Sequence, residues 1–290
     1  MTARLFADRR AVVGLAGAVC VALAATAGKA APPDLEPLKA PGRGTLKGRV
    51  VWDGRRPDLS DIEAGLRTAL NSIPRQYLPK DGRIEQLTWK ISPTGGLANV
   101  MVFLMPPPGT YFPMDKDDLD PTKGGWRKEV VMEAADFNFR PHQVVLFPKG
   151  RDADGKTVVS GQVFKFVVSN TVHHNVQVNG SDQDIGFSRI LPAGTQCAVE
   201  IPPSRFPMTV RNALHPWMRS WVRAFDHPYA VITDYEGYFE IRNVPAGVKV
   251  QVQAWHEETG WLSPKLRAGD TIEVPVGKVL EHSFKARLID

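Results

Sequence analysis

The chain has 290 residues, 43% of them hydrophobic and 23% charged, with a formal net charge of +5. That length and apolar content support two or three small domains with real cores and argue against a disordered chain. Arg4, Arg9, Arg10 and Lys29 against Asp8 supply +3 of the +5 and leave +2 for the rest, so no nucleic-acid partner is implied.

Residues 1–30 read as an export signal. Arg9 and Arg10 precede an uncharged, Ala- and Gly-rich run from Ala11 to Gly28, and Lys29-Ala30-Ala31 leads into Pro32-Pro33. Cleavage is expected near positions 27–31, giving a periplasmic or secreted protein with no stable membrane span once the signal is removed. Asp8-Arg9-Arg10-Ala11 has a trace of a twin-arginine signal, but an ordinary basic start is the better reading. Of the two cysteines, Cys20 lies in this signal, so the mature chain holds Cys197 alone and no internal disulfide.

Residues 31–43 form a Pro-rich linker, expected to stay extended, with ordered structure beginning near Gly44. The N-terminal β region, 44–128, opens with a strand from Gly48 that closes in an Asp53-Gly54 turn. Leu59, Ile62, Leu66 and Leu70 recur at helical spacing, which predicts one short inserted helix from Asp58 to Ser72, stopped by Pro74. The run Leu97 to Leu104 is a strand ended by Pro106-Pro107-Pro108. Asp115, Asp117, Asp118 and Asp120 lack the glycine and glutamate of a calcium loop and read as a solvated acidic turn.

In 129–226, Val144–Phe147 and Val163–Val168 are expected strands joined through a turn at Asp152-Ala153-Asp154-Gly155. Gln196 to Ile201 alternates, and Cys197 within it reads as a buried structural thiol. In 227–290, Val248, Val250 and Val252 alternate with Lys249, Gln251 and Gln253, as a strand with one buried and one wet face requires.

Chemistry concentrates in His174-Asn175-Val176 and in Asn212-Ala213-Leu214-His215-Pro216-Trp217-Met218. These resemble the ligand loops of a cupredoxin copper site, with Asn212 standing where the thiolate ligand would be. With Pro141-His142, Asp226-His227-Pro228-Tyr229, Trp255-His256-Glu257 and the early Gly95-Gly96-Leu97-Ala98-Asn99-Val100, the chain resembles an exported bacterial family of methylamine-utilisation or plastocyanin-like proteins. The stretch Asp234 to Gly247 is similar to the carboxypeptidase regulatory-like module, an Ig-like sandwich with a carbohydrate-binding-like fold.

The resemblance implies an all-β fold: a cupredoxin-like Greek-key β-sandwich over 129–226 and a second, regulatory-like β-sandwich over 227–290. It makes His174 the first imidazole, His215 the second and Met218 the axial thioether, with Asn212 a weak carboxamide donor and Asn175 the residue that holds the two loops together. Thiolate supplies the charge and covalency of blue copper, and a carboxamide oxygen is a hard, weak donor, so copper is expected to bind weakly, as a type-2 centre, or not at all. A turn histidine at His215 and core packing of Trp217 and Met218 stand beside the metal reading. His173 is expected to be exposed, and His142, His227, His256 and His282 to be hydrogen-bonded sandwich residues.

Glu257 and Glu258 beside His256 have no nucleophile or second carboxylate at a recognisable spacing, so the expected function is a non-catalytic binding protein. Two further readings stand beside it. One is a structural or carbohydrate-binding surface module with a glycan partner; the other is an electron-transfer protein with a non-thiolate copper centre.

Overall fold

The computed structural model describes residues 35–180, 187–263 and 266–288. The export signal, Cys20 and the first residues of the linker lie outside the described residues. From Leu35 onward the chain forms one compact unit. It is all-β: two sandwiches of mixed sheets, with helix Ser60–Asn71 and a four-residue helix Pro121–Gly124 as minor additions.

The first sandwich pairs a four-stranded sheet with a five-stranded one. In the four-stranded sheet the order is Gln196–Val199, Val163–Val168, Glu129–Ala135, Asn138–Arg140. In the five-stranded sheet it is Phe187–Leu191, His174–Asn179, Met208–Asn212, Arg219–Ala224, Gln143–Leu146. Period-2 alternation turns Phe164, Phe166 and Val168 from one sheet, and Val176, Val178, Met208 and Val210 from the other, into a shared core. Burying each such side chain contributes about 1.5–3 kcal/mol, which is why the register is fixed. The helix covers this core with Leu66, Ala69 and Leu70; of the positions that its spacing predicts, Leu66 and Leu70 face this core, Leu59 packs against the core of the second sandwich and Ile62 is exposed.

The second sandwich is discontinuous in sequence. Gly42–Trp52 pairs antiparallel with Tyr238–Ala246, and Met101–Met105 lies between Ala230–Ile232 and Lys249–His256. The regions expected separately at 44–128 and 227–290 therefore complete one sandwich, into which the first sandwich is inserted. Its core joins Leu46, Val50, Val102 and Leu104 to Ile241, Val250, Val252 and Phe284. The motif Gly95-Gly96-Leu97-Ala98-Asn99 serves this closure. Gly95 and Asn99 have positive φ, and a Cβ on Gly96 would lie 1.9 Å from the Glu236 carbonyl oxygen.

Two expectations are corrected here. Ordered structure begins before Gly44: Glu36–Pro37 pairs with Thr110–Tyr111, and Arg43 already sits in a strand. The acidic segment is also only partly the solvated turn expected: Asp115 is exposed, but Asp118 is 0% exposed. Its carboxylate accepts from Arg43 Nη2 at 2.8 Å, from Tyr229 Oη at 2.8 Å and from Asn243 Nδ2 at 3.1 Å, and Arg43 Nη1 donates to Tyr229 Oη at 2.6 Å. Burial pushes the Asp118 carboxyl up while Arg43 pulls it down. Only the pairing makes its position tolerable.

The sandwiches meet through Phe103 and Trp255 on one side and Phe225 and Trp221 on the other. The Arg223 guanidinium lies 4.3 Å from the ring centroids of both Phe103 and Phe225. Glu257, fully buried at this junction, pairs with His142, accepts from Trp221 Nε1 at 2.9 Å and meets Arg219 at 3.1 Å. Glu258 reaches the same arginine at 2.8 Å. Two of the remaining histidines are hydrogen-bonded sandwich residues, as expected: His227 accepts from the Tyr229 N–H and His256 reaches the Thr88 carbonyl. His282 lies 3.3 Å from Asp270, but its Nε2 makes no hydrogen bond among the described residues, unlike the expectation.

Burial drives the imidazoles of His227 and His256 down to about 4, from an ordinary value near 6.5. Between those values the unfolded chain binds more protons than the folded one, so their stabilising effect is complete above pH 6.5 and is lost as the pH falls toward 4. Each contributes on the order of 3 kcal/mol. Urea unfolding followed from pH 7 to pH 4 will show a falling midpoint with net proton uptake on unfolding. A midpoint that stays level across that window contradicts the assignment.

Candidate metal centre

His174 opens its strand and Asn212 closes the neighbouring one, with Val176 paired to Asn212 in antiparallel register. The loop after Asn212 turns back through a Met218 N–H to His215 carbonyl hydrogen bond of 2.9 Å. Short-range turning and long-range pairing thus bring His174, Asn212, His215 and Met218 together at one end of the first sandwich. His174 and Met218 are both 0% exposed. The His174 and His215 rings are 5.2 Å apart, and Phe137 meets His215 edge-on at 4.9 Å, with Trp217 at 5.4 Å.

Asn212 is the hub. Its Oδ1 accepts from the backbone N–H groups of Asn175 at 3.2 Å, Leu214 at 3.0 Å and His215 at 3.3 Å. Its Nδ2 lies 2.5 Å from His174 Nδ1 and 3.3 Å from Met218 Sδ. Swapping oxygen and nitrogen would set an NH2 group against three N–H donors, so the network itself fixes the orientation. His174 is then a neutral imidazole that accepts at Nδ1 and donates from Nε2 to Asn170 Oδ1 at 3.1 Å. Burial, reinforced by His215 and His173, pushes its pKa down to about 4. Burial also lowers the pKa of His215.

This geometry modifies the sequence reading in two places. The Asn212 oxygen, expected to face a metal, is turned toward backbone donors instead, and the amide N–H groups face the two ligand atoms. Asn175 ties the loops with its backbone: its N–H donates to Asn212 Oδ1 and its carbonyl accepts from Ala213 N at 3.0 Å. The Asn175 side chain is left to Ser188, at 3.4 Å.

His173 is exposed and accepts from the Ala193 N–H at 3.3 Å. Cys197 is half-buried and belongs to the opposite sheet, where Arg189 Nη1 approaches its Sγ at 2.9 Å, so it is not the buried thiol expected. Sequence reasoning missed Asn170, whose only signal was its position four residues before His174.

Copper does not fit the arrangement as it stands. A metal held by His174 Nδ1 and Met218 Sδ would have to displace the amide group that now bonds to both, and Asn212 offers no anion in exchange. One feature does point toward a ligand: His215 Nε2 is buried without a partner among the described residues. Among those residues, no group of three or more His, Cys, Asp or Glu side chains gathers as a metal cluster.

No family model matches the chain, and no curated protein matches it. Solved copper proteins are similar to part of it. A Cu-containing nitrite reductase from Thermus scotoductus SA-01 is 16% identical over 33% of this chain and 22% of its own, with a TM-score of 0.26. This chain therefore spans about a fifth of that structure's length. Amicyanin from Paracoccus versutus is 14% identical over 33% of this chain and 80% of its own, with a TM-score of 0.25. A purple cupredoxin from Nitrosopumilus maritimus is 11% identical over 33% of this chain and 97% of its own, with a TM-score of 0.24. Among the described residues, no helix is long and apolar enough to cross a membrane.

The hub makes a direct prediction about stability. Asn212→Ala strands three backbone donors and the His174 acceptor, and chemical unfolding will show a loss of about 2–4 kcal/mol, since each buried group left unpaired costs about 1–3 kcal/mol. Amide exchange should quicken at Leu214 and His215 ahead of the strands. A loss within error of zero means that solvent already satisfies these groups.

Proposed function

We propose that this chain is an exported, non-catalytic binding protein built on a cupredoxin-like scaffold, with a degenerate copper site that binds type-2 copper weakly or no metal. The observation that carries the reading is the placement of the Asn212 amide. It donates toward His174 Nδ1 and Met218 Sδ, the two atoms a copper ion would join, so hydrogen bonds hold the loops where a metal–thiolate bond would otherwise do so. Residues 1–30 support export through their basic start, apolar run and Pro-rich exit. Thiolate-to-copper charge transfer gives blue centres their colour, and neither His174, His215 nor Met218 replaces it.

The decisive experiment restores the thiolate. In a Cys197→Ser background, Asn212→Cys removes the hydrogen-bonded amide and adds a soft anion that ionises on binding. Copper affinity should rise at least 10- to 100-fold over the parent, the scale on which even indirect changes around a metal act. A strong visible charge-transfer band should appear, and His215→Ala should abolish it. Wild-type protein supplied with Cu(II) should show no intense blue band. A folded Asn212→Cys variant that takes up no more copper than its parent removes the support for a copper-site ancestry of these loops.

A second reading has one observation in its favour. Tyr235 and Tyr238 are 56% and 53% exposed on the second sandwich, and Arg49 lies 4.9 Å from the Tyr238 ring centroid. Aromatic planes of this kind suit sugar rings, so retention on immobilised polysaccharide that is lost in Tyr235→Ala/Tyr238→Ala supports a surface glycan module.

A further inference from the structure

A cationic surface lies over the junction of the two sandwiches and shares no residue with the site around Asn212. Arg205 comes from the loop before strand Met208–Asn212 of the first sandwich, and Arg267 from a short helical turn, Leu266–Ala268, in the second. Both are exposed. Their guanidiniums nonetheless converge on one ring: Arg205 lies 5.3 Å and Arg267 4.7 Å from the Phe206 ring centroid. Phe206 in turn meets Trp261 edge-on at 6.5 Å, and Trp261 meets Phe103 of the junction at 6.2 Å.

The two segments are held in place from below. Pro202, Pro203 and Pro207 restrict the backbone around Arg205. The Ser204 N–H donates to the Ala224 carbonyl at 2.9 Å, its hydroxyl donates to the Phe206 carbonyl at 3.0 Å, and its carbonyl accepts from Arg223 Nε at 3.3 Å. On the other side, Gly269 has a φ of +71°, and a Cβ there would lie 2.7 Å from the Val252 carbonyl oxygen, so the chain after Arg267 is pressed against its strand. The charge of the two arginines is what stays unanswered. Arg43, Arg49, Arg140, Arg219 and Arg242 each meet a carboxylate. Arg205 and Arg267 make neither a hydrogen bond nor an ion pair among the described residues. Two cations gathered on one ring repel each other, and an anion seated between them relieves that repulsion.

We propose that this surface docks an acidic peptide segment of a partner protein, with a carboxylate held by each guanidinium. The guanidinium fork matches the two oxygens of a carboxylate, and each of these arginines keeps its five N–H donors for an incoming acceptor. Other anionic partners fit less well. Anionic lipid surfaces are gripped by clusters of about four to eight basic residues, and nucleic acids by longer arrays that neutralise successive phosphates. A sugar ring needs an open aromatic plane, and here guanidiniums lie over the Phe206 ring. Two exposed charge pairs give a weak, fast-exchanging contact that salt screens. Because the two arginines come from different sandwiches, one bound segment spans both.

Nitrogen-edited NMR titration of the full folded chain tests this, with capped hexaglutamate as the probe. Hexaglutamate should shift the Nε–H signals of Arg205 and Arg267 and the Trp261 indole, and hexaglutamine should shift none of them. Arg205→Gln and Arg267→Gln should each lower the affinity about three- to tenfold, and the double variant should abolish measurable binding. Arg205→Lys/Arg267→Lys keeps the charge and loses the fork, so it should bind more weakly than the parent. Lys156→Gln/Lys285→Gln removes the same charge elsewhere and should leave the affinity unchanged. All four substituted positions are exposed, and an unchanged unfolding midpoint checks that each variant keeps the fold. The proposal fails if hexaglutamate moves neither arginine signal, if Arg205→Gln/Arg267→Gln binds as tightly as the parent, or if Lys156→Gln/Lys285→Gln loses as much affinity as that variant. It also fails if a heparin fragment or phosphatidylserine vesicles engage these arginines while hexaglutamate does not.

Discussion

The candidate site depends on one carboxamide. Asn212 is buried, and each of its hydrogen-bonding positions has an assigned partner: three backbone donors on its oxygen, an imidazole and a thioether on its nitrogen. A thiolate at this position would leave those backbone donors to be satisfied by sulfur and would need a cation to balance its charge. A neutral side chain that both donates and accepts needs no ion. The same constraint sets the tautomer of His174, and through its Nε2 it reaches Asn170 on the loop before the strand. Loop, strand end and strand start are therefore held together by a single uncharged group.

Charge balance follows a different rule elsewhere in the molecule. Asp118 and Glu257 are buried anions, and each is surrounded by donors drawn from remote parts of the sequence. Arg43 and Tyr229 serve the first; His142, Trp221 and Arg219 serve the second. These pairings are expensive to desolvate and give little net stabilisation, but they tolerate few alternative arrangements. Glu257 lies between the sandwiches, so its partners fix their relative placement where the aromatic contacts of Phe103, Trp221, Phe225 and Trp255 alone would allow sliding. Its carboxyl is held well down, near 2, by His142, Trp221 and Arg219 against the upward push of burial.

Periodic features were legible in the sequence. The spacing of Leu59, Ile62, Leu66 and Leu70 gave the helix to within two residues at its start, and the alternation around Val250 and Val252 gave a strand with its buried face, but not the wet face expected, because Gln253 is 0% exposed. The spacing from Asn212 to Met218 marked one loop of the site, and the pairing of Val176 with Asn212 brings His174 to it. Features that depend on pairing between distant segments were not legible. Nothing local in Asp118 tells of Arg43 and Tyr229, so an acidic cluster read as solvated. Nothing in Gly42–Trp52 names Tyr238–Ala246 as its partner, so two halves of one sandwich read as separate regions. The orientation of the Asn212 amide required the three backbone donors, which exist only once the turn has formed.

The discontinuous sandwich has a consequence for the order in which the chain can fold. Arg49 and the carbonyl of Glu236 that it binds are separated by 187 residues. As the polypeptide emerges from its N-terminus, the strand carrying Leu46 and Val50 must wait with an unsatisfied ladder and an uncovered apolar face until nearly the whole protein has been made. The inserted sandwich, whose strands all come from one continuous stretch, is free to close first. Such an order places the greatest risk of aggregation on the waiting strand. The lysine and arginine residues that punctuate it, Arg43, Lys47 and Arg49, charge that strand through the interval before its partner arrives.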